Sequence, residues 1–411
     1  MAHGAYRRWT AAIDARIMDA IDAIDRNPVV LGAVEQPNTP ASHPPPAHSK
    51  EAELLGMLAK AAVRTLAVAL TLGAFATAAV AEDWSFPAEL VKNGKKEDAT
   101  WTPIPANQVT KHWKICVLFP HLKDSYWVAA DYGVATEAKR DNVAMQLYEA
   151  GGYTNLNTQL NQFDNCIAQK FDAVVLGAIS ADGVGALVRK ATAAGIPVID
   201  FVNGVNDPST SAHALVSFYE LAYTTGKFLV SSSGGKKTVV GFFPGPQGAG
   251  WSDDAVRGLN DAIAGSNVAL AVTRRGDTGL NVQLDLIQNA LQSYADINYL
   301  VGVDIAAQAA AVAVRNAGQI GKIQVAAFDI IPPVYEDIAH GVTAASPTDF
   351  TVIQGRMAVD MAVRLLEKQP LPAKRAGPKP EMVTPANYKS IAWTDMFAPK
   401  GYKVEFTVEP R

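Results

Sequence analysis

The chain has 411 residues, of which 49% are hydrophobic and 18% are charged, and its formal net charge is -4. This composition excludes a disordered chain, and the absence of a basic excess disfavours nucleic acid as the main partner. The length allows two ordinary domains, and the two cysteines are too few for a cysteine-based zinc site.

An export signal is predicted inside the chain and not at its first residue. From Met57, two basic residues are followed by an apolar run over residues 66–78 and by Ala-Val-Ala at 79–81. This order is typical of a secretory signal peptide, which we assign to residues 57–81, with cleavage before Glu82. The alternative is an uncleaved anchor, but the apolar run is shorter than the roughly 20 residues that span a bilayer.

Residues 1–56 precede this signal and contain a proline-rich stretch, QPNTPASHPPPAH. A signal peptide is not expected in the interior of a chain, so we interpret residues 1–56 as an over-extended gene start. The expected product is a periplasmic protein that runs from Glu82 to Arg411. Its first segment, residues 82–113, contains three tryptophans and is predicted to be an ordered arm, because exposed tryptophans are unfavourable without a partner.

Short apolar segments then alternate with helical stretches from residue 114 to residue 368. Unbroken apolar runs are typical of parallel strands that are covered on both faces. Intervening helices of about 12–16 residues suit the crossovers between parallel strands. The predicted strands are ICVLFP, VAMQLYEA, DAVVLGA, PVIDFV, HALVSF, TVVGFFPG, VALAVTR, NYLVGVD, QVAAFD and VTAAS.

Ten strands exceed one doubly wound sheet, so we predict an α/β fold with two parallel-sheet lobes joined by a multi-strand hinge. The turn-rich stretch at 201–213 ends the first lobe, and a helix near 355–368 returns to it. Another strand-like run lies at 402–408. The predicted lobes are residues 114–215 plus 347–381 for lobe 1 and residues 216–346 plus 382–411 for lobe 2.

Aromatic and polar side chains follow these strands at their carboxyl ends, where ligands bind in open α/β sheets. Aromatic rings with acids and few basic groups suit a small cation or zwitterion, since each cation–π contact contributes roughly 0.5–2 kcal/mol. An oxygen on the ligand would need one or two donors. The candidates are His121, Asp124, Tyr126, Trp127, Glu149, Tyr153, Ser180 and Asn203 in lobe 1, and Trp251, Asp253, Asp304 and Asp329 in lobe 2.

Each candidate also has a purely structural interpretation. Trp127 would fill the core of lobe 1, because most tryptophans are largely buried. Asp304 and Asp329 would cap the helices that follow them. Tyr153 would pack on its own loop after a glycine pair, and His121 would be a hydrogen-bonding loop residue.

Cys116 and Cys166 are predicted to lie close together. In a sheet ordered 2-1-3, the helix between strands two and three lies over strand one, which carries Cys116. Cys166 is late in that helix, and an exported compartment permits a disulfide. Separate buried thiols remain the alternative.

No enzymatic motif is present, so we predict neither catalytic residues nor a cofactor or metal. The glycine-rich loop GPQGAG lacks the GK[ST] ending of a phosphate-binding loop. The nucleophile and zinc motifs G-x-S-x-G and H-E-x-x-H do not occur.

Residues 114–368 resemble the type I periplasmic binding proteins, the group of ribose-binding protein. The resemblance is carried by PHLKDSYW, AGIPVIDF, DDAVRGLNDAI and VAAFD. Sugar binders of this family usually place Arg, Asn and Asp at the strand ends. Here Asp253 stands where a ligand-binding Arg is usual, and Val303 precedes Asp304 where Asn is common, which speaks against a sugar.

The segments CVLFPHLKDSYWVAADYG and YEAGGY look like the TorT-like subgroup, which detects trimethylamine N-oxide (TMAO) for TorS-like sensor histidine kinases. The resemblance implies that Tyr126, Trp127 and Tyr153 form an aromatic cage around the trimethylammonium group. A further ring from lobe 2 would close the cage, with the candidates Phe218, Tyr219 and Trp251. The resemblance also implies the periplasmic domain of a sensor histidine kinase as partner.

The alternative function is that of a substrate-binding protein of an ABC importer for a sugar or other small polar solute.

Overall fold

The computed structural model describes residues 84–411, so the predicted extension 1–56 and signal peptide 57–81 lie outside the described residues. The described residues form ten α-helices, two short 3-10 helices and fifteen strands in two sheets. This confirms the predicted α/β fold with two lobes. Among the described helices, none is long and apolar enough to cross a bilayer.

The strands fall into a nine-stranded sheet in lobe 1 and a six-stranded sheet in lobe 2. In chain order they are β1 (Phe86–Lys92), β2 (Lys95–Trp101), β3 (Lys114–Phe119), β4 (Ala144–Glu149), β5 (Ala173–Leu176), β6 (Val198–Phe201), β7 (Ala212–Ala214), β8 (Thr238–Phe243), β9 (Val268–Thr273), β10 (Tyr299–Gly302), β11 (Gln324–Ala327), β12 (Thr343–Thr348), β13 (Arg375–Pro378), β14 (Glu381–Val383) and β15 (Thr407–Val408).

Helices cover the faces of both sheets and connect the parallel strands. They are α1 (Ser125–Arg140), α2 (Leu156–Ala168), α3 (Gly185–Ala193), α4 (Phe218–Ser232), α5 (Gly250–Ile263), α6 (Leu280–Ser293), α7 (Asp304–Asn316), α8 (Pro332–Ala339), α9 (Thr351–Leu366) and α10 (Trp393–Met396).

The first three parallel strands have the same spatial order in both sheets. The lobe 1 order is β15-β4-β3-β5-β6-β7-β13-β1-β2, and the lobe 2 order is β14-β12-β11-β10-β8-β9. In each lobe, the first strand of the parallel set, β3 or β8, lies between the second and third strands, and these neighbours are parallel. The carboxyl ends of the parallel strands therefore gather at one edge of each sheet, where a site is expected.

Burial on both faces explains the apolar strand sequences. Every residue of β5 and of β8 is buried, as expected for parallel strands between two helical layers. Small residues let helices approach closely in lobe 1: Gly133 of α1 lies against the backbone carbonyl of Val352 in α9, so even a methyl group would clash there.

The arm before β3 is ordered and extends the lobe 1 sheet. β1 and β2 form an antiparallel hairpin whose turn residues, Asn93 and Gly94, have φ of 52° and 73°. β1 pairs with β13. The indole of Trp101 donates to the buried carboxylate of Asp360 at 3.0 Å. These contacts hold the arm on lobe 1.

The chain passes between the lobes after β7, after β12, between β13 and β14, and between β14 and β15. The last strand differs from the prediction, which placed residues 382–411 in lobe 2. β15 pairs with β4 of lobe 1. The physical reason lies on α1, where buried Asp131 accepts hydrogen bonds from the Tyr402 hydroxyl (2.7 Å) and the Glu405 N–H (2.9 Å).

Candidate functional site

A small cavity lies where the carboxyl ends of the two sheets face each other. Its volume is about 20 Å³, which is small beside the ~300–1,000 Å³ of pockets for drug-sized ligands. The lining residues are Asp124, Tyr126, Trp127, Tyr153, Val202, Asn203, Phe218, Trp251, Thr278, Val303, Asp304 and Asp329.

Trp127 lines the cavity from lobe 1 and also belongs to the core. The Asp124 side chain caps α1 by accepting from the Trp127 N–H at 3.1 Å, which fixes the start of the helix. The indole is only 3% exposed and lies 4.9 Å from the Phe119 ring. Gly177, directly after β5, leaves room for the indole. Trp127 therefore both lines the cavity and packs in the core of lobe 1.

Trp251 plays the corresponding part in lobe 2. It lies in the first turn of α5, 5.4 Å from the ring of Phe218 in α4. Its ring packs against Gly245, whose φ of +100° and missing side chain allow this close approach. The indole Nε1 is buried and has no hydrogen-bond partner among residues 84–411. A buried donor without an acceptor is unfavourable, so the Trp251 N–H is a candidate donor to a ligand.

Tyr153 and Tyr126 complete the aromatic lining. The Tyr153 hydroxyl accepts from Asn203 at 2.9 Å, and its ring lies 5.8 Å from that of Trp251 in the other lobe. The Tyr126 hydroxyl donates to buried Asp349. Burial raises the pKa of both phenols, so both rings stay neutral.

The backbone at the end of β6 is strained where it meets the cavity. Val202 has a φ of +60°, which a β-branched residue rarely adopts and which is found most often at functional sites. The turn places the Asn203 amide where it donates both to Tyr153 and to the Ala178 carbonyl, each at 2.9 Å. The strained residue therefore positions a group that holds one wall of the cavity.

Three carboxyl groups line the cavity. The Asp304 N–H donates to Asp329 at 2.8 Å, and the Ile305 N–H donates to Asp304 at 2.5 Å. Asp329 thus caps α7 from the neighbouring strand end, and Asp304 is the first residue of that helix. Burial raises the pKa of both carboxyls well above the usual value, as do neighbouring carboxylates. Burial also raises the pKa of Asp124 to about 6.

The two lobes touch around the mouth of the cavity. The Lys123 ammonium in lobe 1 pairs with Asp277 in lobe 2 at 2.8 Å. Beside it, His121 Nε2 lies 3.1 Å from the Thr278 hydroxyl, again across the lobes. Burial lowers the pKa of His121 to about 4, so its ring is neutral at pH 7. These contacts describe a closed arrangement of the lobes.

Several predicted site residues lie outside this cavity. Tyr219 stacks on Tyr223, and its hydroxyl donates to Asp261. Asp253 pairs with Arg275 at 2.7 Å and borders a neighbouring cavity. Glu149 accepts from the Gly151 N–H, and Ser180 accepts from the Gly183 N–H, so both stabilise their own loops.

The neighbouring cavity is larger and more polar. Its volume is about 450 Å³, and Val202, Phe218 and Trp251 border both this cavity and the aromatic one. Asp253, Asp254 and Arg257 contribute charges to its lobe 2 wall. A bulkier polar molecule would therefore find room beside the aromatic cavity but not within it.

Four residues that line or support the cavity were not among the predicted site residues. Val202, Thr278 and Val303 line the cavity, but their side chains carry no distinctive chemical signal. Asp349 holds Tyr126, and its position directly after β12 is the same strand-end signal that identified Asp304 and Asp329. Extending the predicted strand beyond Ser346 would have found it.

Cys116 and Cys166 are joined by a disulfide between β3 and α2. Both are fully buried in a second apolar cluster of lobe 1, which does not contain Trp127. Within residues 84–411, no group of three His, Cys, Asp or Glu side chains is arranged to hold a metal ion.

Comparisons with known proteins agree with this architecture. The family model described as periplasmic binding protein domain matches residues 115–370. The periplasmic protein TorT of Escherichia coli (strain K12) is 33% identical over 302 residues, which are 74% of this chain and 86% of TorT.

Two solved structures are similar over most of the chain. An ABC transporter solute binding protein from Bradyrhizobium sp. BTAi1, with bound Bis-Tris, is 43% identical; the match covers 78% of this chain and 98% of that one, with a TM-score of 0.68. The complex of the TorS sensor domain with TorT in the presence of TMAO contains a chain that is 29% identical. That match covers 72% and 99% of the two chains, with a TM-score of 0.64. The chain therefore belongs to the periplasmic binding protein family.

Proposed function

We propose that this protein captures TMAO in the periplasm and reports its presence to a membrane sensor histidine kinase. The observation that carries the proposal is the aromatic cavity between the lobes. Tyr126, Trp127 and Tyr153 line it from lobe 1, and Phe218 and Trp251 line it from lobe 2. Aromatic faces attract methylated ammonium groups through cation–π interactions.

The polar groups of the cavity suit the oxygen of an amine oxide. The buried Trp251 N–H has no acceptor among the described residues, and the oxide oxygen is a strong acceptor. Neither Lys nor Arg is among the lining residues, so an anionic ligand would have no counter-charge.

The comparisons support the same reading. TorT is similar over most of its length, and a TorS–TorT complex has been solved in the presence of TMAO. By this similarity, the periplasmic domain of a TorS-like kinase is the partner. The signal-peptide pattern of residues 57–81 would direct export.

The mechanism follows from the division of the cavity between lobes. A ligand that touches rings of both lobes stabilises the closed arrangement relative to an open one. The closed form then presents a surface to the kinase that the open form lacks. No reaction on the ligand is required.

Calorimetry on the exported protein tests the proposal. The full-length chain is expressed and the protein is purified from the periplasm, where N-terminal sequencing should give Glu82. It is then titrated with TMAO and, separately, with ribose. Saturable heat with TMAO and none with ribose is the expected result, while binding of ribose alone would contradict the proposal.

An importer function is the second candidate, favoured by the 43% identity to an ABC transporter solute binding protein and by the large polar cavity beside the aromatic one. The two functions differ in the partner. Ligand-dependent co-purification with a histidine kinase sensor domain encoded beside the gene would favour sensing, and stimulation of a neighbouring permease–ATPase would favour import.

A further inference from the structure

The carboxyls of Asp304 and Asp329 form the floor of the cavity, and no Lys, Arg or His of residues 84–411 forms an ion pair with either. The Asp304 backbone N–H donates to an Asp329 oxygen at 2.8 Å, so the Asp329 carboxyl lies against the first residue of α7, Asp304. Each is 3% exposed. Apart from the backbone N–H groups of Asp304 and Ile305, nothing among residues 84–411 donates to either carboxyl. Two adjacent buried carboxylates repel each other, so such a pair retains a proton.

The surrounding groups reinforce that repulsion. Asp124 and Asp349 act on the pair as further negative charges, and burial outweighs both. Asp349 is already engaged by Tyr126 and by Gln354. The remaining titratable groups at the cavity are the neutral phenols of Tyr126 and Tyr153, and His121 behind Thr278. Lys123, at the mouth, pairs with Asp277 and not with the floor.

We propose that the Asp304–Asp329 pair holds one proton and donates it as a hydrogen bond to the oxygen of the bound amine oxide. The proton stays on the carboxyl, so no covalent bond breaks. This inference rests on the proposed TMAO ligand and names the residues that select it. An amine oxide needs a donor at this position, whereas a quaternary ammonium cation of the same shape needs a carboxylate.

The two ligand types therefore respond to pH with opposite sign. TMAO requires the protonated pair, so its affinity falls as the pH rises through the pKa of the pair, approaching tenfold per pH unit. Tetramethylammonium has a fourth methyl group in place of the TMAO oxygen and carries a net positive charge, so a carboxylate attracts it. Its affinity rises over the same pH range.

Calorimetry with both ligands between pH 5 and pH 9 tests the inference on the wild-type protein. Repeating the TMAO titration in phosphate and Tris buffers, which differ in ionisation enthalpy, measures proton uptake directly. We expect uptake of up to one proton per TMAO above the pKa of the pair, and release of a proton on tetramethylammonium binding at lower pH.

Substitutions assign the proton to this pair. Asn keeps a donor but does not titrate, so Asp304→Asn or Asp329→Asn should bind TMAO within a few-fold of wild type, with a much flatter pH profile. Asp304→Ala should bind at least tenfold more weakly. Asp131→Asn is the matched control, because Asp131 is a buried carboxyl on α1 that contacts Tyr402 away from the cavity; its TMAO profile should equal that of wild type.

The possible outcomes separate this inference from the proposed function. TMAO binding that is independent of pH, together with tetramethylammonium binding that neither strengthens with pH nor releases a proton, overturns the inference and leaves the function standing. Loss of the pH dependence in Asp124→Asn, but in neither Asn variant of the pair, overturns the assignment. Absence of TMAO binding at every pH overturns both. Wild-type proton uptake needs no variant, so a misfolded variant does not remove the test.

Discussion

The position of a residue along its helix decides whether its side chain reaches the cavity. Phe218 and Trp251 line it, whereas their helical neighbours Tyr219 and Asp253 do not. Adjacent helical residues point about 100° apart, and residues two apart point about 200° apart. A one- or two-residue offset therefore moves a side chain from the cavity to the surface. Three lobe 2 rings were candidates for the site, but only the packed helices could show which of them line the cavity.

The packing of Trp127 yields a prediction for a residue that no ligand touches. A methyl group at Gly177 would lie 2.5 Å from Trp127 Cη2, so the indole must shift and the cavity changes shape. Gly177→Ala should weaken TMAO binding at least tenfold, or about 1.4 kcal/mol. The overpacking should also lower the free energy of unfolding by about 1–3 kcal/mol.

Isothermal calorimetry and a denaturant titration measure these two effects. Gly279→Ala is the control, because there the added methyl meets Val282 at an ordinary 3.5 Å. An affinity of Gly177→Ala within twofold of the wild-type value would show that the position of the Trp127 ring does not control binding.

At the scale of elements, the pattern of apolar residues predicted the parallel strands but did not predict the β1–β2 hairpin of the arm. The ten predicted strands correspond to β3 through β12, because burial on both faces leaves an unbroken apolar run. β2, with the sequence KKEDATW, is mostly exposed and carries no such run. The Asn93-Gly94 turn was the available signal, since Asn-Gly favours a two-residue hairpin.

The disulfide between β3 and α2 should contribute to stability and not to binding. It closes a loop with a sequence separation of 50 residues, for which chain entropy gives about 4 kcal/mol. Replacing both cysteines by Ala should lower the free energy of unfolding by about 2–4 kcal/mol. TMAO affinity should stay within twofold, because the cysteines and Trp127 lie in different apolar clusters.

Urea titrations of the wild-type and double-Ala proteins measure the difference. Adding a reductant should destabilise the wild-type protein and leave the double variant unchanged. Equal urea midpoints for the two proteins without reductant would contradict a stabilising disulfide.

At the scale of the molecule, binding depends on how firmly the lobes close. The Lys123–Asp277 pair joins them at the rim and is partly exposed to solvent, so its contribution is about 0.2–1 kcal/mol. Lys123→Ala should therefore weaken TMAO binding about two- to fivefold, mainly through faster dissociation, since the cavity itself is unchanged.

Stopped-flow measurement of tryptophan fluorescence gives the dissociation rate. Lys190→Ala is the matched control, because Lys190 also pairs with an aspartate, Asp164, but within lobe 1. If both variants release TMAO at the same rate, the rim pair does not hold the lobes together.

The fold and the order of the parallel strands were predictable because strands and helices alternate regularly in each lobe. The contacts between lobes were not, because they join residues far apart in the sequence. Lys123 and Asp277 are separated by 154 residues, and His121 and Thr278 by 157. Such pairs have no local pattern, and only the three-dimensional arrangement identifies them.

The nine-stranded sheet has a consequence for the order in which the protein matures. Its centre is made early in the chain, but β13 and β15 come from beyond lobe 2. The five parallel strands of lobe 2, β8 to β12, are continuous in sequence. As the chain emerges vectorially, lobe 2 can assemble its parallel strands while lobe 1 still lacks two of its own. The lobe 1 sheet is therefore complete only after the last residues have arrived.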